Sequence, residues 1–203
     1  MEFDVFIQTS LYFLALINPA SKVFILSSMQ PGYNHKTLFK VSAKASGAAL
    51  IILYVLASVG HYILHAIFHV EIYSLSVAGG VVLFIIGLTA VRNGRFYEQS
   101  LKNTSDDISI VPLAAPLIAG PGTITASISF ASTHGVPITI LSLTAAVVIN
   151  FFIMLSSLWI GKILEKYQIV GPLIRITGLI VSAVAVQMVL TGLSEWLKIT
   201  IST

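Results

Sequence analysis

The stretch INPASK, residues 17–22, interrupts a run of Leu, Phe and Ile that is otherwise typical of a membrane-spanning helix. Proline lacks an amide hydrogen and clashes with the carbonyl group four residues earlier, so Pro19 frees carbonyl groups between Leu14 and Ile17. Lipid cannot satisfy such groups, and unwound backbone at membrane depth is tolerated only inside protein or beside a watery cavity. The stretch therefore predicts a helix that is broken inside the membrane and faces the protein interior.

The overall composition also indicates a membrane protein. The 203 residues are 56% hydrophobic and 9% charged, with a mean hydropathy of +0.94, whereas soluble domains carry about 25% charged residues. The acidic start and the lack of a small-residue cleavage site argue against a removable signal peptide. The chain has no cysteine, which excludes disulfides and thiolate chemistry. Its basic residues follow the loops rather than forming a patch, so no nucleic-acid partner is predicted.

Apolar stretches long enough to cross the bilayer recur along the chain. We place the spans at 3–29, 43–67, 72–91, 111–133, 136–161 and 169–192. No separate soluble domain fits between them, so residues 1–203 are predicted to form a single integral membrane domain. Membrane lipid is therefore one of its expected partners.

A second broken span repeats the first. Ile17–Ser21 aligns with Ala119–Thr123, and Ala78–Gly80 aligns more weakly with Thr177–Leu179. Because each half then holds three spans, the second half must enter the membrane from the opposite side, which is the inverted repeat common among secondary transporters. The predicted fold is an all-α polytopic membrane protein with six transmembrane helices in two inverted three-helix repeats, helices 1 and 4 being broken at mid-membrane.

This fold divides the chain into four segments. They are repeat one (1–91), a cytoplasmic loop (92–110), repeat two (111–192) and a short C-terminal tail (193–203).

Matching Gly/Pro breaks in two halves are the best sequence indication of a transport site. Asn18 and Gly120 are favourable N-cap residues, and Pro19 and Pro121 would each begin a new half-helix. Amides at a helix start suit a carboxylate and the preceding carbonyl groups suit an ammonium, so a small zwitterion fits both. The predicted substrate-binding residues are Asn18, Pro19, Ala20, Ser21, Gly120, Pro121, Gly122, Thr123 and Thr125. The alternative is that the prolines only bend their helices.

The basic residues predict the orientation. Lys and Arg residues flank loops 1–2, 3–4 and 5–6, whereas Lys198 lies on the opposite side. By the positive-inside rule these three loops are cytoplasmic and both termini are outside. If spans 1 and 4 were re-entrant hairpins, the basic loops would still share one face, but the termini would lie inside.

Several polar or small residues lie within the spans. Lys22 is a candidate for coupling or for the pathway, but its long side chain is expected to snorkel toward the cytoplasmic interface. Asn150 and Gln187 should face the bundle interior, and Asn150 is a candidate for lining the pathway. The residues expected to serve close helix packing are Gly79, Gly80 and Gly178.

The sequence does not indicate a metal site, a buried carboxylate for proton coupling or an enzymatic activity. His61, His65 and His69 recur every four residues near Glu71, but spacing alone at a helix end is weak evidence, and no metal site is predicted. All acidic residues lie outside or at the ends of spans, so no buried carboxylate is available for proton coupling. Enzymatic motifs are missing from the spans, so the protein is predicted to be no enzyme and to need no cofactor.

In its two proline-containing breaks and its glycine motif, the sequence resembles the MarC family of prokaryotic inner-membrane proteins. This family includes SnatA-like transporters of small neutral amino acids. The resemblance rests on Asn18-Pro19, on Ala78–Gly80 and above all on residues 112–123, and it covers nearly the whole chain. Ser21 and Phe24 stand where the family commonly has Gly and Pro. The resemblance implies six helices in inverted repeats, a multi-pass location in the prokaryotic plasma (inner) membrane, and transport of glycine or alanine coupled to protons.

The sequence thus predicts a secondary transporter of small neutral amino acids, of the glycine or alanine type, that works by alternating access. Three alternatives stay open: a passive channel for small solutes that uses the same breaks, an exporter of another small metabolite, and a structural subunit whose kinks only shape packing. A channel would show flux without counterflow or saturation. The sequence does not predict the oligomeric state.

Overall fold

The computed structural model describes residues 2–28, 35–94, 118–166 and 169–201, and these form helices, turns and short connections. The α-helices of this part of the chain are α1 (Glu2–Ile17), α2 (Pro19–Ser28), α3 (His35–Tyr62), α4 (Ile72–Asn93), α5 (Pro121–His134), α6 (Val136–Leu155), α7 (Ser157–Lys166) and α8 (Val170–Ile201). A π-helical turn, Ile63–Ile67, continues α3.

Five of the described segments are long and apolar enough to cross a membrane. They are Phe3–Val23, His35–Ile67, Ile72–Asn93, Val136–Leu155 and Val170–Ile201. Large apolar side chains such as Ile51, Ile85 and Leu179 are exposed on the outside, which suits contact with lipid. The protein is an all-α polytopic membrane protein. The predicted span 111–133 lies partly outside the described residues, so the arrangement of six spans in two repeats stays a prediction.

Two helices extend beyond their predicted spans. Helix α3 begins at His35 rather than at residue 43, because Leu38 and Val41 continue its buried face at helical spacing. Helix α8 ends at Ile201 rather than at residue 192, because no proline or glycine follows Gly192 to stop it. The predicted C-terminal tail is therefore helical as far as Ile201.

The predicted span 136–161 is interrupted at Ser156, which separates α6 from α7. The Ser156 hydroxyl donates to the Phe152 carbonyl oxygen at 3.1 Å. Such back-bonding by serine bends helices. The predicted span therefore consists of two helices, and the second of them, α7, packs against α2.

Helices α4 and α8 form a close antiparallel pair. A methyl group at Gly80 would lie 2.8 Å from the carbonyl oxygen of Ala185, and one at Gly178 would lie 2.7 Å from the methyl of Ala90. Small residues let helix backbones approach closely within membranes. Gly80 and Gly178 thus lie in the contact between these two helices.

The remaining long helices also meet in antiparallel pairs. The Tyr54 hydroxyl of α3 lies 2.6 Å from the Thr144 hydroxyl oxygen of α6. The rings of Tyr12 and Phe13 in α1 meet the ring of Phe130 in α5 edge-on, with centroids 5.2 and 5.5 Å apart. Because α2 packs on α6, α7 and α8 as well, the junction between α1 and α2 is enclosed by helices from the second half of the chain.

These pairings place most basic residues at one end of the bundle. The start of α3, the ends of α4 and α6, and the start of α8 meet there, and Arg175 donates to the Val91 carbonyl oxygen at 2.7 Å. The basic residues described at this end are Lys36, Lys40, Lys44, Arg92, Lys162, Lys166 and Arg175. Lys198 lies at the other end, near the start of α1, while Arg95 and Lys102 fall outside the described residues. The orientation of the bundle in the membrane stays a prediction.

Candidate functional site

The first predicted break lies at Asn18, between α1 and α2, and we call Ile17–Lys22 the α1–α2 break. The 16 residues of α1 cover about 24 Å. The hydrocarbon core of a bilayer is about 30 Å thick, so the break falls within the apolar layer. Asn18 is buried, with 8% of its surface exposed.

Asn18 adopts the left-handed conformation, with a φ of 52°. Its N–H donates to the Leu14 carbonyl oxygen at 3.0 Å, which is the hydrogen bond that ends many helices at a left-handed residue. An N-cap residue normally has an extended backbone. The expectation that Asn18 is the N-cap of α2 is therefore wrong; Asn18 ends α1, a place that asparagine tolerates better than most residues.

Two carbonyl groups of the α1–α2 break accept hydrogen bonds from α2. The Asn18 carbonyl oxygen accepts from the Ser21 N–H at 3.2 Å, the Ser21 hydroxyl at 2.8 Å and the Lys22 ammonium at 3.5 Å. The Lys22 ammonium also donates to the Ile17 carbonyl oxygen. Ser21 is buried, whereas Pro19 and Ala20 are half-buried. The side chains of Ser21 and Lys22 thus donate hydrogen bonds to carbonyl groups at the break.

The expectation that Lys22 snorkels toward the cytoplasmic interface is wrong. Its side chain is 1% exposed and turns back toward the break, where its ammonium finds the carbonyl groups of Ile17 and Asn18. Burying a charge is costly unless it is hydrogen-bonded or paired, and these carbonyl groups offset part of that cost. Lys22 therefore belongs to the α1–α2 break and not to the membrane interface.

The second predicted break lies at the start of α5. Gly120 has an extended backbone, with φ −76° and ψ 171°, and precedes Pro121, the first residue of the helix. The Ile124 N–H donates to the Gly120 carbonyl oxygen at 2.9 Å. This is the predicted arrangement of N-cap and first-turn proline. Residues 112–117 lie outside the described residues, so the helix predicted before Gly120 stays a prediction.

Gly122 brings the start of α5 close to the α1–α2 break. A methyl group at Gly122 would lie 2.9 Å from a methyl of Leu83 in α4 and 3.3 Å from a methyl of Leu16 in α1. Leu16 lies two residues before Asn18. The two predicted breaks are thus neighbours in the bundle, with α4 on one side of them.

Two threonines follow on α5. Thr123 and Thr125 are each 2% exposed. A methyl group at Gly79 would lie 2.2 Å from the Thr125 hydroxyl oxygen. Gly79, predicted to serve packing between helices, therefore contacts a predicted substrate-binding residue on α5, rather than facing α8 as Gly80 does.

Asn150 lies on α6 beside α1. It is fully buried, and its side-chain N–H donates to the Met154 sulfur at 3.2 Å. The Ser142 hydroxyl, two turns earlier, lies 3.4 Å from the Phe6 carbonyl oxygen, so α6 runs alongside α1. Eight residues further along both helices, Asn150 is level with Leu14, about one turn before the end of α1.

Some buried polar atoms of the described residues have no hydrogen-bond partner. They are Asn18 Nδ2, Asn150 Oδ1, and the hydroxyl oxygens of Ser42, Ser46 and Ser157. Such an atom costs about 1–3 kcal/mol, and each one in a native structure calls for an explanation. Both asparagines were predicted from the sequence, but the three serines were not. The four-residue spacing of Ser42 and Ser46 on the buried face of α3 could have indicated these two serines.

Two other polar features lie away from the breaks. Gln187 was expected to face the interior, but it is exposed on α8 and donates to the Thr191 hydroxyl at 3.3 Å, so that expectation is wrong. His65 Nδ1 lies 3.0 Å from the Glu71 carboxylate, and both side chains are exposed. Among the described residues no three His, Cys, Asp or Glu side chains are grouped to hold a metal ion.

Comparison with known proteins also indicates an integral membrane protein. The profile of the MarC family integral membrane proteins matches residues 3–197. A UPF0056 membrane protein of Pyrococcus horikoshii is 33% identical over 186 residues, 92% of each chain. The UPF0056 membrane protein YvbG of Bacillus subtilis is 29% identical over 204 positions, which cover 95% of this chain and 96% of YvbG.

A third relative, a UPF0056 membrane protein of Methanocaldococcus jannaschii, is 30% identical, with 95% of this chain and 98% of the relative covered. No solved structure matches the chain. Because the family profile covers nearly all of the sequence and the relatives align over almost their full length, the chain belongs to the MarC family of integral membrane proteins.

Proposed function

We propose that the protein is a secondary transporter of small neutral amino acids, such as glycine or alanine, and works by alternating access. One observation carries the proposal: Asn18 is a buried, left-handed residue inside an apolar segment of membrane-spanning length, and its Nδ2 atom has no partner among the described residues. Broken helices near the bilayer midplane hold the substrate in many secondary transporters.

The start of α5 completes the proposed site. It lies beside the α1–α2 break through Gly122 and Leu16. No side chain of the described residues caps this helix start. Unpaired amides and the positive end of the helix dipole favour a carboxylate there. The substrate-binding residues proposed from the sequence, from Asn18 to Ser21 and from Gly120 to Thr125, all lie in these two neighbouring segments.

The pairing of helices supports the two-repeat architecture that this mechanism needs. If spans 1, 2 and 3 correspond to spans 4, 5 and 6, with Pro19 matched to Pro121, then α2 corresponds to α5, α3 to α6 and α4 to α8. The pairs α3–α6 and α4–α8 are each in contact and antiparallel. A two-fold axis in the membrane plane produces this relation between inverted repeats. The proposed architecture is therefore six spans in two inverted repeats.

The basic end of the bundle supports a cytoplasmic location for loops 1–2, 3–4 and 5–6, with both termini outside. The relatives belong to bacteria and archaea. We therefore place the protein in the prokaryotic plasma membrane, as a carrier rather than an enzyme.

We also propose that transport is coupled to protons, and few of the described groups could carry a proton. Lys22 is the only buried charged side chain among those the structure describes. The acidic residues whose side chains the structure describes, Asp4, Glu71 and Glu195, lie at the bundle end away from the break. Protons would therefore be carried by Lys22 or by the substrate itself.

The test is counterflow of labelled glycine into proteoliposomes preloaded with unlabelled glycine, alanine or buffer. A carrier accumulates label only when substrate is inside, whereas a passive channel shows flux without this requirement. Repeating the assay with an imposed pH gradient tests the coupling to protons.

Two variants test the location of the site. Asn18→Ala and Gly120→Val are expected to abolish counterflow without preventing membrane insertion. Their controls are Asn93→Ala, at an exposed position, and Gly171→Ala, where an added methyl meets no atom within 4 Å. Normal counterflow in both site variants would contradict the assignment.

A further inference from the structure

Lys22 gives the α1–α2 break a charge of its own. Its ammonium donates to the carbonyl groups of Ile17 and Asn18, and its side chain is 1% exposed. We infer that Lys22 makes this a site for small carboxylates: it supplies the positive charge that binds the substrate carboxylate, and it occupies the carbonyl groups that would otherwise bind the substrate ammonium. The inference rests on the proposed transport function and specifies the substrate class of the same site.

None of the carboxylates with a described side chain lies near Lys22. The acidic residues whose side chains the structure describes are Asp4, Glu71 and Glu195, and they lie near the start of α1, before α4 and near the end of α8. The helix pairings put all three at the bundle end that holds both termini, whereas Lys22 lies beyond Asn18 toward the other end. Among the described side chains no carboxylate is therefore close enough to balance the buried ammonium. A bound carboxylate would supply that balance.

The hydrogen-bonding groups of the α1–α2 break also favour a carboxylate. The Asn18 carbonyl group already accepts from Ser21 and Lys22, and the Ile17 carbonyl group accepts from Lys22. In contrast, Asn18 Nδ2 is a buried donor with no partner among the described residues. An unpartnered donor and an ammonium both suit the oxygen atoms of a carboxylate.

The consequence is a ranking of ligands by functional group. L-Lactate keeps the carboxylate of L-alanine and carries a hydroxyl in place of the ammonium. L-Alaninamide keeps the amine and lacks the carboxylate. The site should therefore accept L-lactate about as well as L-alanine and should reject L-alaninamide.

The test is isothermal titration calorimetry of the purified protein in lipid nanodiscs with these three compounds at neutral pH. Lys22→Met has a side chain of similar length without the charge, and it is expected to weaken L-lactate and L-alanine binding by roughly thirtyfold or more, as loss of one partner of a buried charged pair does. Lys162→Met removes a lysine that is exposed on α7 and is expected to bind like the wild type.

Even if Lys22→Met fails to fold, the ligand series in the wild type tests whether the site selects carboxylates. Binding of L-alaninamide without L-lactate, no binding of any compound, or unchanged L-lactate binding in folded Lys22→Met overturns the inference. The proposed transport function fails separately, if L-lactate and L-alanine bind through Lys22 but no counterflow of either compound is measured. Counterflow of L-alanine in a protein that ignores L-lactate leaves transport standing and rejects the role of Lys22.

Discussion

Gly79 lies where α4 contacts the proposed site, and replacing it by alanine should separate α4 from α5. The new methyl would lie 2.2 Å from the Thr125 hydroxyl oxygen, 2.9 Å from its Cβ and 3.1 Å from its Cγ2. Rotating the Thr125 side chain moves only the hydroxyl and methyl groups, so the Cβ contact persists and the helices must shift. Overpacking of this kind costs about 1–3 kcal/mol.

The matched control is Gly47→Ala on α3, where an added methyl meets nothing within 4 Å. We would measure the free energy of unfolding of both variants in mixed micelles by SDS titration. Gly79→Ala should be less stable than Gly47→Ala by about 1–3 kcal/mol. Adding Thr125→Ala, which removes the nearest atom, should recover part of the lost stability. The effects of two substitutions on stability are not additive when the residues are in contact.

Two results would refute this reasoning. One is equal stability of Gly79→Ala and Gly47→Ala, which would mean that the close contact between α4 and α5 does not exist. The other is strict additivity of Gly79→Ala and Thr125→Ala, which would mean that the two residues do not touch.

Other substitutions test further parts of the fold by the same titration. Gly178→Ala would place a methyl 2.7 Å from a methyl of α4, and it should cost about 1–3 kcal/mol, whereas Gly171→Ala in the same helix has open space and should be neutral. Gly135→Ala should cost about 1–3 kcal/mol, because Gly135 has a φ of 90° between α5 and α6; unchanged stability would contradict that backbone. Tyr54→Phe removes the hydrogen bond to Thr144 and should cost about 0.6 kcal/mol, so a loss of several kcal/mol would require another role for Tyr54.

The sequence predicted the fold best where a single residue type restricts the backbone by itself. Pro19 and Pro121 cannot lie in the interior of a regular helix, so the α1–α2 break and the start of α5 could be located from them. In contrast, Ser156 interrupts the α6–α7 segment although serine is often tolerated within helices. The interruption coincides with the hydrogen bond from the Ser156 hydroxyl to the Phe152 carbonyl oxygen, which sequence periodicity does not contain.

The direction of side chains was harder to predict than the position of the breaks. Lys22 could reach either the interface or the break, and the choice depends on the two carbonyl groups that the unwound backbone offers it. Gln187 was assigned to the interior from its depth in the span, yet it is exposed on α8. Gly79 and Thr125 were both selected, but for different roles, because their contact joins α4 to α5 across a large separation in sequence.

If the α1–α2 break is a substrate site, it must open to water during transport, and cysteine labelling can detect this opening. The chain has no native cysteine. Ser21 and Ser182 are a matched pair: both are buried, and their hydroxyls donate to the carbonyl oxygens of Asn18 at 2.8 Å and Gly178 at 2.9 Å. Ser21 lies in the break, whereas Ser182 lies between α4 and α8.

The measurement is the rate at which a membrane-impermeant thiol reagent modifies Ser21→Cys and Ser182→Cys, added from either side of proteoliposomes, with and without L-alanine. The account predicts that Ser21→Cys reacts from both sides and is protected by L-alanine, while Ser182→Cys stays unreactive. If Ser21→Cys reacts as slowly as Ser182→Cys, or reacts at a rate that L-alanine does not change, the break is a bend in a packed helix and the account is contradicted.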